Sequence, residues 1–228
     1  MEGEGKVTIP NSKIIEGTFE KGKLNGQCKE TYYTGIIVEG TFVNDKLNGQ
    51  GKIIDPIKKQ ELIGTFVDSR LHGEGKITSP LETEIGIFER GKLVEGTKTN
   101  YKGTVLTGSF EDGLLDGKGK ITYLDGRVFE GSFRLGLMYG LGKKTFPNGD
   151  IHEGYFTNNI LDGFGKKIIV SKSDLSYLLN GSTKSNVTIY EGKFVNEKLE
   201  GKGKITYPDG RVEEGLFENG ILIKKKKL

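Results

Sequence analysis

Apolar and small residues recur along this chain in two linked motifs. The first, Gly-x-Phe, begins at Gly17, Gly40, Gly64, Gly86, Gly108, Gly131, Gly154, Gly192 and Gly215. Its spacing is roughly 23 residues, with one longer step between Gly154 and Gly192, and a fixed period of this length marks a repeat architecture. Five residues after each Phe comes a Leu or Met. A polar residue and Gly-x-Gly-Lys then follow in the best copies, as in Leu47-Asn48-Gly49-Gln50-Gly51-Lys52. A partial copy, Gly3-Glu4-Gly5-Lys6, opens the chain.

Between the Phe and the Leu lie pairs such as Lys21-Gly22, Asn44-Asp45, Arg90-Gly91, Asp112-Gly113, Asn158-Asn159 and Asn219-Gly220. These tolerate the positive φ angles of a two-residue hairpin turn, whose twist matches that of the flanking strands. Each repeat is therefore expected to be a β-hairpin. A second turn signal, at Asp125-Gly126, Asn148-Gly149 and Asp209-Gly210, returns the chain to the next hairpin. The resulting fold class is all-β: an elongated, single-layer antiparallel meander of about nine hairpins, a twisted open sheet running as one solenoid through residues 1–228.

Period-two alternation assigns the faces. With Asp112-Gly113 as the turn, Phe110 is expected opposite Leu115 and Gly108 opposite Gly117. Gly119, Ile121 and Tyr123 then share that face. Phe110, Tyr123, Phe133, Phe146, Phe156, Phe194, Tyr207 and Phe217 form the candidate protein-binding or packing face. Glycine beside them supplies bare backbone on which large side chains can lie, since a single sheet has no second layer. The other face carries Glu before the hairpin Gly, as at Glu130 and Glu153, and a Lys column including Lys120 and Lys143. Repeat four departs from the pattern: Leu93-Val94-Glu95-Gly96 lacks one Gly, so a bulge or local break is expected there.

Composition narrows the class. There are 36 Gly but only five Pro among 228 residues, with 34% hydrophobic and 29% charged, which suits a thin fold better than a two-layer enzyme core. Thirty-four Lys and Arg against 31 Asp and Glu give a net charge of +3, too little to point to nucleic acid. The single Cys28 excludes an internal disulfide, and the N-terminus lacks a basic stretch followed by an apolar run. A cytoplasmic setting is the expectation, with the Asn180 and Asn186 sequons unused.

The stretches Phe110 to Gly126 and Tyr190 to Gly210 resemble the MORN repeat (membrane occupation and recognition nexus), whose pattern runs roughly Tyr-x-Gly-x-Trp/Phe, a turn, then Gly-x-Gly-x-x-x-Tyr-x-Asp-Gly. The resemblance covers nearly the entire chain, although there is no Trp, and Tyr before the first Gly survives only in Tyr190-Glu191-Gly192. It implies scaffolding, because such repeats occur in junction-forming membrane proteins, phosphatidylinositol phosphate kinases, radial-spoke components of cilia and protist cytoskeletal proteins.

Catalytic alternatives find little support. Gly140-Leu141-Gly142-Lys143-Lys144-Thr145 fails as a phosphate-binding loop, since Leu137 stands where the first Gly belongs and Lys144 where the hydroxyl belongs. His72, His152 and Cys28 occupy ordinary repeat slots and are too few for a structural zinc site. The Glu column has Lys within diagonal reach, which marks a solvated ladder rather than catalytic carboxylates.

Two features break the repeat. Residues 168–189 form an insertion that is either a plain loop, as is common in repeat proteins, or a candidate docking element in which Ser173 caps a short helix bearing Leu175, Tyr177, Leu178 and Leu179. Residues 221–228 form a basic tail whose Lys224, Lys225, Lys226 and Lys227 are either a solvated end that discourages strand addition at the sheet edge or candidate contacts for anionic lipid. The expected function is a non-catalytic scaffold or adaptor binding protein partners in a cytoskeletal, ciliary or membrane-associated assembly. The alternative is a peripheral membrane adaptor that binds anionic phospholipid through the tail. No cofactor, nucleic acid or small-molecule substrate is expected, and a homodimer through the terminal sheet edges is a further candidate.

Overall fold

The computed structural model describes residues 1–171 and 186–226. Its strands form one 19-stranded antiparallel sheet that divides into two compact units, Met1–Leu114 and Leu115–Leu228. The first unit holds β1 (Gly3–Ile9), β2 (Lys13–Glu20), β3 (Lys23–Tyr32), β4 (Ile37–Val43), β5 (Lys46–Asp55), β6 (Gln60–Val67), β7 (Arg70–Thr78), β8 (Glu82–Glu89), β9 (Lys92–Asn100) and β10 (Val105–Glu111). The second holds β11 (Leu114–Thr122), β12 (Val128–Arg134), β13 (Leu137–Thr145), β14 (Ile151–Thr157), β15 (Ile160–Val170), β16 (Val187–Val195), β17 (Lys198–Thr206), β18 (Val212–Glu218) and β19 (Ile221–Lys225). One opening strand is thus followed by two strands for each of the nine Gly-x-Phe units. Among the described residues there is no helix.

The hairpin turns take the conformation that their residues favour. Asn44 and Asp45 have φ of 50° and 69°, and Asn158 and Asn159 have 49° and 67°. Positive φ at both central residues defines the type I′ turn, whose twist suits the strands it joins. The same conformation recurs at Asp68-Ser69, Leu135-Gly136 and Asn196-Glu197, where the sequence signal is weaker. The returning turns differ: Gly126 N–H donates to Tyr123 O and Tyr123 N–H to Arg127 O, which makes a three-residue loop with a left-handed Gly126.

Register corrects one expectation. Phe does face Leu or Met across the hairpins within each unit, as in Phe42 with Leu47, Phe133 with Met138 and Phe156 with Leu161. The hairpin Gly, however, faces the second Gly of Gly-x-Gly rather than the first: Gly40 pairs with Gly51 and Gly131 with Gly142. A bulge in the second strand absorbs the extra residues, and its first Gly, such as Gly140 at φ 95°, takes the left-handed conformation there. Because the second Gly also pairs with the next hairpin Gly, a glycine row crosses the strands of each unit, interrupted by Cys28 in the first and ending at Gly215, which faces Lys225, in the second. Repeat four keeps this row through Gly86 and Gly96, so its missing Gly shortens the bulge and leaves β9 continuous.

Burial in a single layer is achieved by stacking turns on their neighbours. Asp45 N–H, in the turn of one hairpin, donates to Leu24 O of the hairpin before it at 3.1 Å, and Leu24 N–H donates to Asp45 Oδ1 at 2.8 Å. Asn159 holds Met138 in the same way, at 3.1 Å and 2.9 Å. The polar residue after Leu completes the clamp, since Asn25 Oδ1 accepts from Asn44 N–H and Asp116 Oδ2 from Leu135 N–H. Beneath these turns Phe66, Leu71, Leu115, Met138 and Leu161 are fully buried. Each such side chain contributes about 1.5–3 kcal/mol by leaving water.

The insertion is narrower than 168–189. Ile168, Ile169 and Val170 pair with Ile189, Thr188 and Val187, extending the β15–β16 hairpin. Residues 221–225 form the strand β19 rather than a tail, with Leu222 facing Phe217. Leu175, Tyr177, Leu178, Leu179 and Lys227 lie outside the described residues.

Candidate functional site

The sheet offers two unlike faces. On the glycine face, the proposed aromatic set separates into two groups. Phe110, Phe133, Phe156, Phe194 and Phe217 are buried under the turns and serve packing, whereas Tyr123, Phe146 and Tyr207 stand half-exposed two steps beyond the glycine row.

In the first unit the glycine face forms a half-open cavity of about 650 Å³ lined by Ile9, Ile15, Phe19, Val38 and Ile53. An ionic cluster sits inside it. The Lys13 ammonium bonds Glu30 Oε1, Tyr32 OH donates to Glu30 Oε2 at 2.9 Å, and Lys13 also stands 5.1 Å from the centre of the Tyr32 ring. Glu30 is 6% exposed, so these two partners satisfy a carboxylate that would otherwise be costly to bury.

In the second unit the same face carries a run of rings. Tyr123 meets Phe129 edge-on with centroids 5.1 Å apart, Phe129 meets Phe146 at 6.2 Å, and Phe146 meets His152 at 5.1 Å. Register sets Lys144, His152 and Lys167 directly opposite one another on β13, β14 and β15. Lys144 lies over the rings of Phe129 and Phe156 and donates to Asn159 O at 2.5 Å, while Lys167 donates to Glu197 O at 2.7 Å. The stems of both lysines therefore cover aromatic surface and their heads hold the next turns. Burial lowers the pKa of Lys144 below the ordinary lysine value, since no carboxylate lies within ion-pair reach among the described residues. His152 is likewise held below the usual imidazole range, first by burial and then by the charge of Lys167, and its Nδ1 has no hydrogen-bond partner among the described residues.

This basic row escapes the reading of His152 as an ordinary substitution. Its sequence signal is a doubled lysine: Lys143-Lys144 and Lys166-Lys167 stand where other repeats have Lys52-Ile53, Lys120-Ile121 and Lys204-Ile205. The second lysine of each pair falls on the glycine face.

The opposite face bears the charge ladder. Lys166 pairs with Glu191 at 3.1 Å and Lys6 with Glu16 at 2.7 Å, while Lys29 with Glu39 and Lys120 with Glu130 are looser. Such exposed pairs contribute under about 1 kcal/mol each. Gly140 to Thr145 lies within the extended strand β13 and forms no phosphate-cradling loop. Cys28 is buried, its Sγ donating weakly to Thr18 O at 3.5 Å, and burial raises its pKa, so the thiol stays protonated and packs. Lys224 and Lys225 are exposed on β19, and Lys226 bonds Glu214 Oε1 at 2.6 Å.

Hairpins stacked in one layer, with glycines meeting across most strand pairs and rings laid beside them, define a β-hairpin repeat protein. The sequence pattern of the MORN repeat matches seven stretches, residues 16–36, 39–57, 63–80, 107–126, 129–151, 152–172 and 190–210. These cover more than half of the chain, which belongs to the MORN-repeat family. The irregular β8–β9 hairpin and the final β18–β19 hairpin fall outside the matched stretches yet share the fold. Comparison with curated proteins gives no match. MORN repeats are a non-enzymatic repeat type commonly involved in membrane or protein binding.

Proposed function

We propose that this chain is a non-catalytic scaffold that holds a protein partner against its glycine face, in a cytoplasmic assembly of cytoskeletal, ciliary or membrane-associated type. The observation that carries this reading is the run Tyr123, Phe129, Phe146 and His152 in the second unit. Tyr123 and Phe146 remain half-exposed although the Phe and Leu column beside them is buried, so they offer aromatic area without being needed for the packing of the hairpins. Aromatic side chains of this kind dominate the energetics of protein interfaces. Affinity capture in detergent with wild type and with the Tyr123→Ser/Phe146→Ser variant tests it. A protein retained by the first and lost by the second supports the scaffold; identical capture by both removes it.

A second reading is a peripheral adaptor for anionic phospholipid, favoured by the exposed Lys224, Lys225 and Lys226 at the end of the sheet. Sedimentation with phosphatidylserine vesicles separates the two. Lipid binding abolished by glutamine at these three lysines supports the adaptor.

A further inference from the structure

On the face opposite the glycines, two rows of side chains cross the strands of the second unit next to one another. One alternates in charge, placing Glu153, Glu191 and Glu214 between lysines. The other contains no carboxylate. Leu141 faces Tyr155 on the neighbouring strand, Phe164 faces Lys193, and Leu216 faces both Lys202 and Lys224. The apolar residues thus cluster over β13–β15 and the basic ones over β16–β19.

Nothing in the fold requires this. In the first unit the same positions hold Gln27 and Thr41, bonded at 2.9 Å, and Gln50 and Thr65, bonded at 2.8 Å, and Ile87, set between Glu74 and Glu95, is an isolated apolar member of a row otherwise suited to solvent. In the second unit Leu141 is 53% exposed, Tyr155 49% and Phe164 69%. Single exposed apolar residues need no explanation, but three on adjacent strands form a patch of the kind that marks an interaction site. Lys193, Lys202 and Lys224 are also exposed, and among the described residues none has a carboxylate within ion-pair distance. A concavity of about 830 Å³ lies at the basic end, where Lys202, Lys204, Lys224, Lys225 and Lys226 outnumber the two carboxylates of its lining, Glu191 and Glu214.

We propose that this row is a docking strip for an extended, acidic segment of a partner protein. Apolar anchors rest on Leu141, Tyr155 and Phe164, and carboxylates reach Lys193, Lys202 and Lys224. The unopposed positive charge fixes the sign of the partner. Its narrowness fixes the shape: a flat anionic bilayer on this face would also meet Glu153, Glu191 and Glu214, whereas a single chain can follow the acid-free row. From Leu141 to Lys224 the row crosses seven neighbouring strands, about 29 Å at the usual strand spacing, which an extended segment of about nine residues spans. The strip lies on the face opposite the aromatic run, so its occupancy is independent of the scaffold reading above.

The test uses a fluorescein-labelled synthetic peptide with Leu and Phe in one half and Glu in the other, and a second peptide of the same composition in scrambled order. Anisotropy titrations of the full chain should show binding of the ordered peptide that weakens as salt is raised. Phe164→Ser and Lys202→Glu should each weaken it by about tenfold or more, whereas Phe146→Ser, on the opposite face, should leave it unchanged. Thermal unfolding checks that each variant is folded, which exposure of the substituted residues favours. Equal affinity for the scrambled peptide, or unchanged affinity in both strip variants, overturns the proposal. Phosphatidylserine-containing vesicles that bind wild type but neither strip variant, with no binding of the peptide, would assign the strip to a membrane and overturn it too.

Discussion

Gly131 on β12 and Gly142 on β13 face each other so closely that a methyl group added to Gly131 would lie 2.5 Å from Gly142 Cα and equally close to Leu141 O. Both obstacles are backbone, which cannot rotate away, and Gly131 sits at φ 147°, where L side chains are strained. Gly131→Ala should therefore cost about 3 kcal/mol or more, read from urea unfolding. Cys28 already carries a side chain in the equivalent row, so Cys28→Ala should cost under about 2 kcal/mol.

The turn clamp gives a second test. Asp45 uses its carboxylate to accept from Leu24 N–H while holding φ at 69°. Asp45→Ala removes the acceptor and leaves a Cβ residue in a left-handed turn, for a loss of about 1.5–2 kcal/mol. Asp45→Asn keeps an acceptor and a residue tolerant of that conformation. Its thermal unfolding should match wild type to within about 0.5 kcal/mol.

Within the first-unit cavity, Lys13→Met strands the Glu30 carboxylate with Tyr32 as its remaining donor. Chemical denaturation should show a loss of about 3 kcal/mol. Replacing both partners, as Lys13→Met/Glu30→Leu, removes the charge along with its counterion and should recover most of that loss. Equal stability of the single and double variants would mean that the pair does not act as a unit.

His152 predicts a pH dependence. Burial holds its folded-state pKa below the unfolded value of about 6.5, so the unfolded chain binds the proton more readily. Stability should fall as pH drops below about 6.5 and continue to fall until the folded-state pKa is reached. His152→Phe, which places at this slot the residue that Phe129 provides one repeat earlier, should lose that part of the pH dependence. Melting curves of both proteins at pH 7.5 and 5.5 measure the difference.

Much of this fold is legible in the sequence because its determinants are local. A turn pair such as Asn44-Asp45 and a Gly-x-Phe five residues from Leu declare a hairpin without reference to the rest of the chain. Register is not local in that sense. The bulge at Gly140 shifts the partner of Gly131 to Gly142, and alternation counted from the turn cannot reveal extra residues that the strand absorbs. The candidate sites were hidden for the same reason. Lys144, His152 and Lys167 are far apart in sequence and become a row only once the strands are aligned. Leu141, Tyr155 and Phe164 occupy slots that Gln and Thr fill elsewhere, a contrast that matters only when their exposure is known.

The clamp between a turn and the leucine before it also has a direction. Leu24 is covered by the turn at Asp45, Leu47 by that at Ser69, and Met138 by that at Asn159, always by the hairpin that follows. Leu222, which no later turn covers among the described residues, is only half-buried. A chain leaving the ribosome would therefore always carry one hairpin with its leucine open to water, closed only when the next repeat has been made. The growing end of the nascent protein, rather than any finished surface, is then the point where a chaperone would find an apolar target.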